Sequence, residues 1–231
     1  MKVLGIIGGI GPESTVDYYQ TIVGLYRARQ PDGSYPLLLI NSVDMQRLRN
    51  AFEAGDLAAV VDYLVPELHR LHRAGAEFGL LAANTPHLVF DELQRQSPIP
   101  LISIVAVTGT AAKARGLKRV GLFGTRFTMT APMYPEVFAR EGIAVVIPEL
   151  ADQDYIHEKY LGELVNGIFL PETREGLLAI VDRMAHQNGI DGVILGGTEL
   201  PLILREPEHN GIPFLNTTAI HCAAAIDRMF S

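Results

Sequence analysis

The chain repeats itself. Gly5-Ile6-Ile7-Gly8 returns as Gly121-Leu122-Phe123-Gly124, an offset of 116 residues (121 − 5), and each run follows a basic residue and a valine. A second echo comes in the same order. Gly75 precedes the apolar run Phe78–Ala82 and then Asn84-Thr85; Gly189 precedes Gly192–Leu195 and then Gly197-Thr198. Thr85 and Thr198 are offset by 113 (198 − 85), and each is followed 14 residues later by Ile-Pro, at Ile99-Pro100 and Ile212-Pro213. Two echoes in one order, at about half the length of a 231-residue chain, point to two copies of one folding unit.

Each copy alternates short apolar runs with helical patterns. Strands are predicted at Val3–Ile7, Leu37–Asn41, Phe78–Ala82, Leu101–Ile104, Arg119–Phe123, Ala144–Ile147, Gly192–Leu195 and Pro213–Asn216. Most are continuously apolar, as strands covered on both faces are. Helices are predicted over Leu57–Ala74 and Pro171–Asn188, with Pro171 in a first turn and Gly75 and Gly189 just past the ends. The expected fold is therefore α/β: two pseudo-symmetric lobes, each a mostly parallel sheet with helices on both faces, and a ligand cleft between them. Residues 1–100 with 217–231 form the first lobe in this reading, the last stretch being a closing helix, and 101–216 form the second.

A hydrophobic content of 48% with 19% charged residues supplies well-filled cores. The net charge of −7 offers no basic face to nucleic acid. No Lys/Arg run suggests a membrane surface, and nothing approaches the ~20 apolar residues of a membrane span. The apolar stretch after Lys2 is only about five residues, shorter than the roughly 7–15 of a signal peptide, so it reads as a buried strand and the expected location is cytoplasmic. The one cysteine, Cys222, allows no internal disulfide and no cysteine-rich metal site; no metal is expected, and Cys222 reads as a core thiol.

Ligands of parallel sheets bind beyond the carboxyl ends of the strands. Those ends carry Gly8–Gly11 (with Ile10), Asn84-Thr85-Pro86-His87, Gly124-Thr125 followed by Thr128, and Gly197-Thr198-Glu199. The glycine spacing after the first strand does not match a dinucleotide fingerprint, and Asn41 ends the second strand where an acidic residue is needed. The same glycines suit a tight turn into a helix whose free N–H groups face an anion. Asn84 and Thr85 bring an amide NH₂ and a hydroxyl, donors suited to a carboxylate. Helix caps and turns use the same residue types, and that plainer reading stays open for each motif alone.

Taken in order, Gly8 to Thr15 (Gly-Gly-Ile-Gly-Pro-Glu-Ser-Thr), Ala83-Asn84-Thr85-Pro86-His87 and Gly196-Gly197-Thr198-Glu199 resemble the motifs of the aspartate/glutamate racemase family. The resemblance runs over essentially the whole chain, including Asn41–Asp44 and Gly124–Thr128. It implies a cofactor-independent isomerase that removes a Cα proton on one face of a small amino acid or related carboxylate and returns one on the other. It also implies acid/base groups at positions 83 and 197, where the family carries cysteines (in some members threonine at the first). Here those positions are Ala83 and Gly197, and neither moves a proton. Glu199 and His87 are the nearest ionisable residues and are the candidate catalytic groups; each also has a structural reading, as a turn cap and a hydrogen-bonded core ring. Tyr18, Tyr19 and His221 are further residues that either approach the site or serve as scaffold. Implied substrate contacts are Ile10, Ala83, Asn84, Thr85, Thr125, Thr128, Gly197 and Thr198. Arg47 or Arg49 would meet a second carboxylate, since the helix around Asn166 lacks the lysine of some relatives. Two other functions fit the same residues: a carboxylate-binding protein without turnover, and a one-sided lyase or decarboxylase. A homodimer is the expected assembly, C₂ pairs being the commonest.

Overall fold

The computed structural model describes residues 1–231. They fall into two compact units, Met1–Ser103 with His221–Ser231, and Ile104–Ile220. The chain thus crosses from one unit to the other after 103 and 220, where the sequence reading has 100 and 216.

Unit 1 runs β1 (Leu4–Gly8), α1 (Pro12–Arg29), β2 (Leu38–Ser42), α2 (Met45–Glu53), α3 (Leu57–Arg73), β3 (Phe78–Leu81), a 3-10 turn (Thr85–Val89) and α4 (Phe90–Gln96). Its strands are parallel in the order β2-β1-β3. All five residues of β1 are buried, because helices cover both faces. Ile7 packs with Leu64 and Leu68 of α3 on one side. Leu4 and Ile6 pack on the other with Tyr18, Ile22 and Tyr26 of α1. Each fully buried Leu or Ile contributes about 1.5–3 kcal/mol of hydrophobic stabilisation. Gly5 faces the end of α3, and a Cβ there would lie 2.9 Å from Ala76 Cβ.

Unit 2 runs α5 (Ile104–Ala114), β4 (Arg119–Phe123), α6 (Arg126–Thr130), α7 (Met133–Arg140), β5 (Ala144–Val146), α8 (Leu150–Gly162), a 3-10 turn (Leu164–Asn166), α9 (Pro171–Asn188), β6 (Gly192–Leu195), α10 (Leu200–Ile203), β7 (Glu208–His209) and β8 (Ile212–Asn216). The order is β5-β4-β6-β8-β7, with only β7 antiparallel. The helix α11 (Thr217–Phe230) starts in unit 2 and from His221 belongs to unit 1. There Cys222, Ala225, Ile226 and Met229 join the core of Leu4, Ile6 and Tyr18.

The two units repeat one topology. In each, the first strand lies between the second and the third: β2-β1-β3 and β5-β4-β6. Beyond the third strand, Phe214 of β8 pairs with Val193, and at the matching place Leu101 bridges Gly79. That single bridge corrects the expected strand over Leu101–Ile104: the chain turns, and Ile104 and Val105 are buried in the first turn of α5. A short apolar run suits a strand or a buried helix turn equally. α9 has Pro171 in its first turn and ends on Gly189, whose φ of 64° is left-handed. No helix is long and apolar enough to cross a membrane.

Candidate functional site

In each unit the chain leaves the central strand for one neighbour, then returns past it to the other. The connections diverge at the carboxyl ends of β1 and β3, and again at those of β4 and β6. Open parallel sheets bind ligands at such switch points, and the four strand-end motifs fall there.

In unit 1 the turn after β1 is a packed device. Gly9 has φ +78°, and a Cβ on it would meet Val43 O at 2.5 Å. The Thr15 hydroxyl accepts the Gly9 N–H at 2.8 Å and donates to Gly11 O at 3.3 Å. Ser14 Oγ donates to Ala82 O at 2.8 Å, tying the start of α1 to the end of β3. The Ile10 side chain packs against the α3 side of the core. Ala83 and Asn84 are buried, while Thr85 is half-buried at the start of the 3-10 turn.

His87 is buried and held by its neighbours in unit 1. Its Nδ1 lies 3.0 Å from Ala83 O and donates to it, and the ring stacks on Phe90. Burial, with His221 nearby, lowers its pKa to about 3, so the ring is neutral. His221 is also buried and lowered to about 4; its Nε2 donates to Ile102 O at 2.9 Å and its Nδ1 accepts from Tyr18 OH at 2.8 Å. Tyr19, by contrast, is exposed. Cys222 is fully buried, and burial pushes its thiol far above the usual range.

Arg47 and Arg49 are both exposed on α2. Two residues apart on a helix they point in different directions. The Arg47 guanidinium lies 4.2 Å from the centre of the Tyr63 ring, and Tyr63 OH accepts the Asp44 N–H at 2.9 Å.

In unit 2, Thr125 caps α6: its hydroxyl accepts the Thr128 N–H at 3.2 Å and lies 3.2 Å from the fully buried Thr128 hydroxyl. The ends of β4 and β6 approach closely; a Cβ on Gly196 would sit 2.7 Å from Phe123 O. Asn166, on the 3-10 turn after α8, donates to Gly162 O at 3.1 Å.

A buried carboxylate and phenol meet at the end of β6. Glu199 is 2% exposed and precedes α10, yet its side chain makes no capping bond to that helix. Its Oε2 instead accepts from Thr198 Oγ1 at 2.9 Å and from the Tyr160 hydroxyl, which α8 delivers. Burial first, and then the Glu199 charge, hold the Tyr160 phenol well above its usual range. The Tyr160 ring also explains Gly197. A Cβ on that residue would lie 2.8 Å from Tyr160 Cζ and 2.9 Å from its Oη, so the ring fills the space of a side chain at 197.

Tyr160 is absent from the sequence reading, since nothing in the α8 sequence marks it. The usable signal was indirect. A position expected to carry a side chain holds glycine, and a close-packed interior must fill that volume from elsewhere.

Comparison with known proteins agrees with this architecture. The family model for Asp/Glu/hydantoin racemases matches residues 7–225. An aspartate racemase homologue from Pyrococcus horikoshii is 33% identical, with all of both chains covered and a TM-score of 0.85. The aspartate racemase of Picrophilus torridus is 25% identical over 100% of this chain and 95% of its own, with a TM-score of 0.80. A broad-specificity amino-acid racemase of Bacillus subtilis, RacX, is 26% identical over 71% of this chain and 67% of its own. These likenesses support a racemase-type function, and the match over residues 7–225 shows that the chain belongs to the Asp/Glu/hydantoin racemase family.

Proposed function

We propose that this protein is a racemase-type isomerase that moves a proton at Cα of a small amino acid or related carboxylate, without a cofactor. The observation that carries this reading is the buried Tyr160–Glu199–Thr198 network at the end of β6. It keeps a titratable pair at a strand end where Gly197 itself supplies nothing. Asn84 and Thr85 support the carboxylate part, as donors at the end of β3. The racemases to which the chain is similar act on amino acids by their names, which supports that substrate class. Arg47 or Arg49 is proposed to meet a second carboxylate.

One observation favours a second reading, a one-sided reaction. Inverting Cα needs a proton carrier on each face. At the end of β3, position 83 is alanine and His87 is neutral, with its Nδ1 committed to Ala83 O. A single carrier suffices for a decarboxylation or elimination that protonates one face.

Proton NMR in D₂O separates these readings. The protein is incubated with both enantiomers of aspartate, glutamate, alanine and lactate, and with methylmalonate. Loss of the Cα–H signal with inversion supports the isomerase. Exchange or product formation of one hand only supports the one-sided reaction. Silence across the panel from folded protein sinks both and leaves a binding role.

A further inference from the structure

We propose that Tyr160 is the proton-transferring group at the end of β6, with Glu199 as its proton store, taking the place of a side chain at position 197. The inference rests on the Cα chemistry proposed above and adds the residue that performs half of it.

Three observations converge. The Tyr160 hydroxyl stands 2.9 Å from where a Cβ on Gly197 would lie, so its oxygen occupies the space from which a side chain at 197 would act. That hydroxyl is hydrogen-bonded to a carboxylate that is 2% exposed, and the ring itself is 7% exposed. Thr198 Oγ1 holds the same Glu199 oxygen, so the acceptor is oriented from its own loop as well as from α8. Both hydroxyls reach the same carboxylate oxygen, so the phenolic proton of Tyr160 has an acceptor already in hydrogen-bond contact.

The step balances without a free phenolate. As the Cα–H bond breaks, its proton passes to Tyr160 Oη and the phenolic proton passes to Glu199 Oε2. The electron pair of the broken bond stays on the substrate, delocalised into its carboxylate. Tyr160 is neutral before and after, and Glu199 ends neutral. The reverse step returns a proton to carbon from Tyr160, which is refilled from Glu199. Burial and the Glu199 charge both oppose phenolate formation, so a relay suits this site better than a standing base.

Tyr160→Phe keeps the ring over Gly197 and removes only the hydroxyl. With the D₂O exchange assay on the compound the wild type turns over, kcat for exchange should fall about 100-fold or more while KM stays within about threefold. Glu199→Gln should match that loss and remove the acid limb of the wild-type pH–rate profile, with Glu199→Asp recovering part of the rate; a purely structural role would not move that limb. Circular dichroism checks that each variant is folded, and Glu199→Gln decides the matter if Tyr160→Phe does not fold. Exchange by folded Tyr160→Phe within about threefold of wild type overturns this inference and leaves the isomerase reading intact. A wild type that exchanges nothing in the panel overturns the isomerase reading, and the role of Tyr160 falls with it.

Discussion

Gly197 and Tyr160 are one packing solution written at two positions. The backbone at 197 has no left-handed φ, so glycine is there for space and not for conformation. Gly197→Cys should therefore destabilise the protein by roughly 1–3 kcal/mol through the clash with the ring. Adding Tyr160→Ala should recover most of that loss, and urea denaturation of the single and double variants measures the coupling. A cysteine at 197 requires the Tyr160 ring to move from its present place. Glu199 makes a separable prediction for binding. If it stores a proton without holding the ligand, Glu199→Gln should leave ligand affinity within about tenfold, or ~1.4 kcal/mol, by titration calorimetry. At this scale the sequence pointed to the strand ends but not to their chemistry. Glu199 was visible beside an empty position, whereas its partner lies 39 residues earlier, on a helix that carries no motif.

At the scale of elements, the turn from β1 into α1 and the helix α2 show how local structure limits what a motif can do. Gly9→Ala places a Cβ against Val43 O in a left-handed conformation and should cost about 2 kcal/mol or more by thermal unfolding. On α2, Arg47→Ala should lose roughly 0.5–1 kcal/mol with the Tyr63 contact, while Arg49→Ala leaves stability unchanged. Because the two point apart, only one of the pair should affect binding of an acidic amino acid. The strands were largely legible because both faces are covered and nearly every residue is apolar, as in β1, β3 and β6. Leu101–Ile104 has the same composition and became a bridge and a helix turn, since apolarity reports burial and not backbone shape. β7, at two residues, has no period to detect.

At the scale of the whole molecule, the duplication was the most reliable signal because it needs no propensity: two echoes in one order predicted two sheets of one topology, and β2-β1-β3 and β5-β4-β6 bear that out. The copies have nonetheless diverged in how they bury titratable groups. His87 and His221 both lie in unit 1 and are lowered from 6.5 to about 3 and about 4. Each stays neutral when folded and takes up a proton when unfolded below about 6.5. Stability therefore falls as pH drops from 6.5 towards 4, and on to about 3 for His87. Hydrogen exchange read by mass spectrometry at pH 5 should show amides of unit 1 losing protection before those of unit 2. Equal loss in both would mean that the two rings do not set the acid limit. The split origin of unit 1 also bears on synthesis. Residues 104–220 follow one another along the chain, so a ribosome can release unit 2 ready to close. Leu4, Ile6 and Tyr18 precede the Cys222–Met229 stretch that covers them by a long way, Cys222 following Tyr18 by 204 residues (222 − 18). Until that stretch is made, the core of Leu4, Ile6 and Tyr18 lacks the cover that α11 supplies, whereas unit 2 has its whole core within one continuous run of chain.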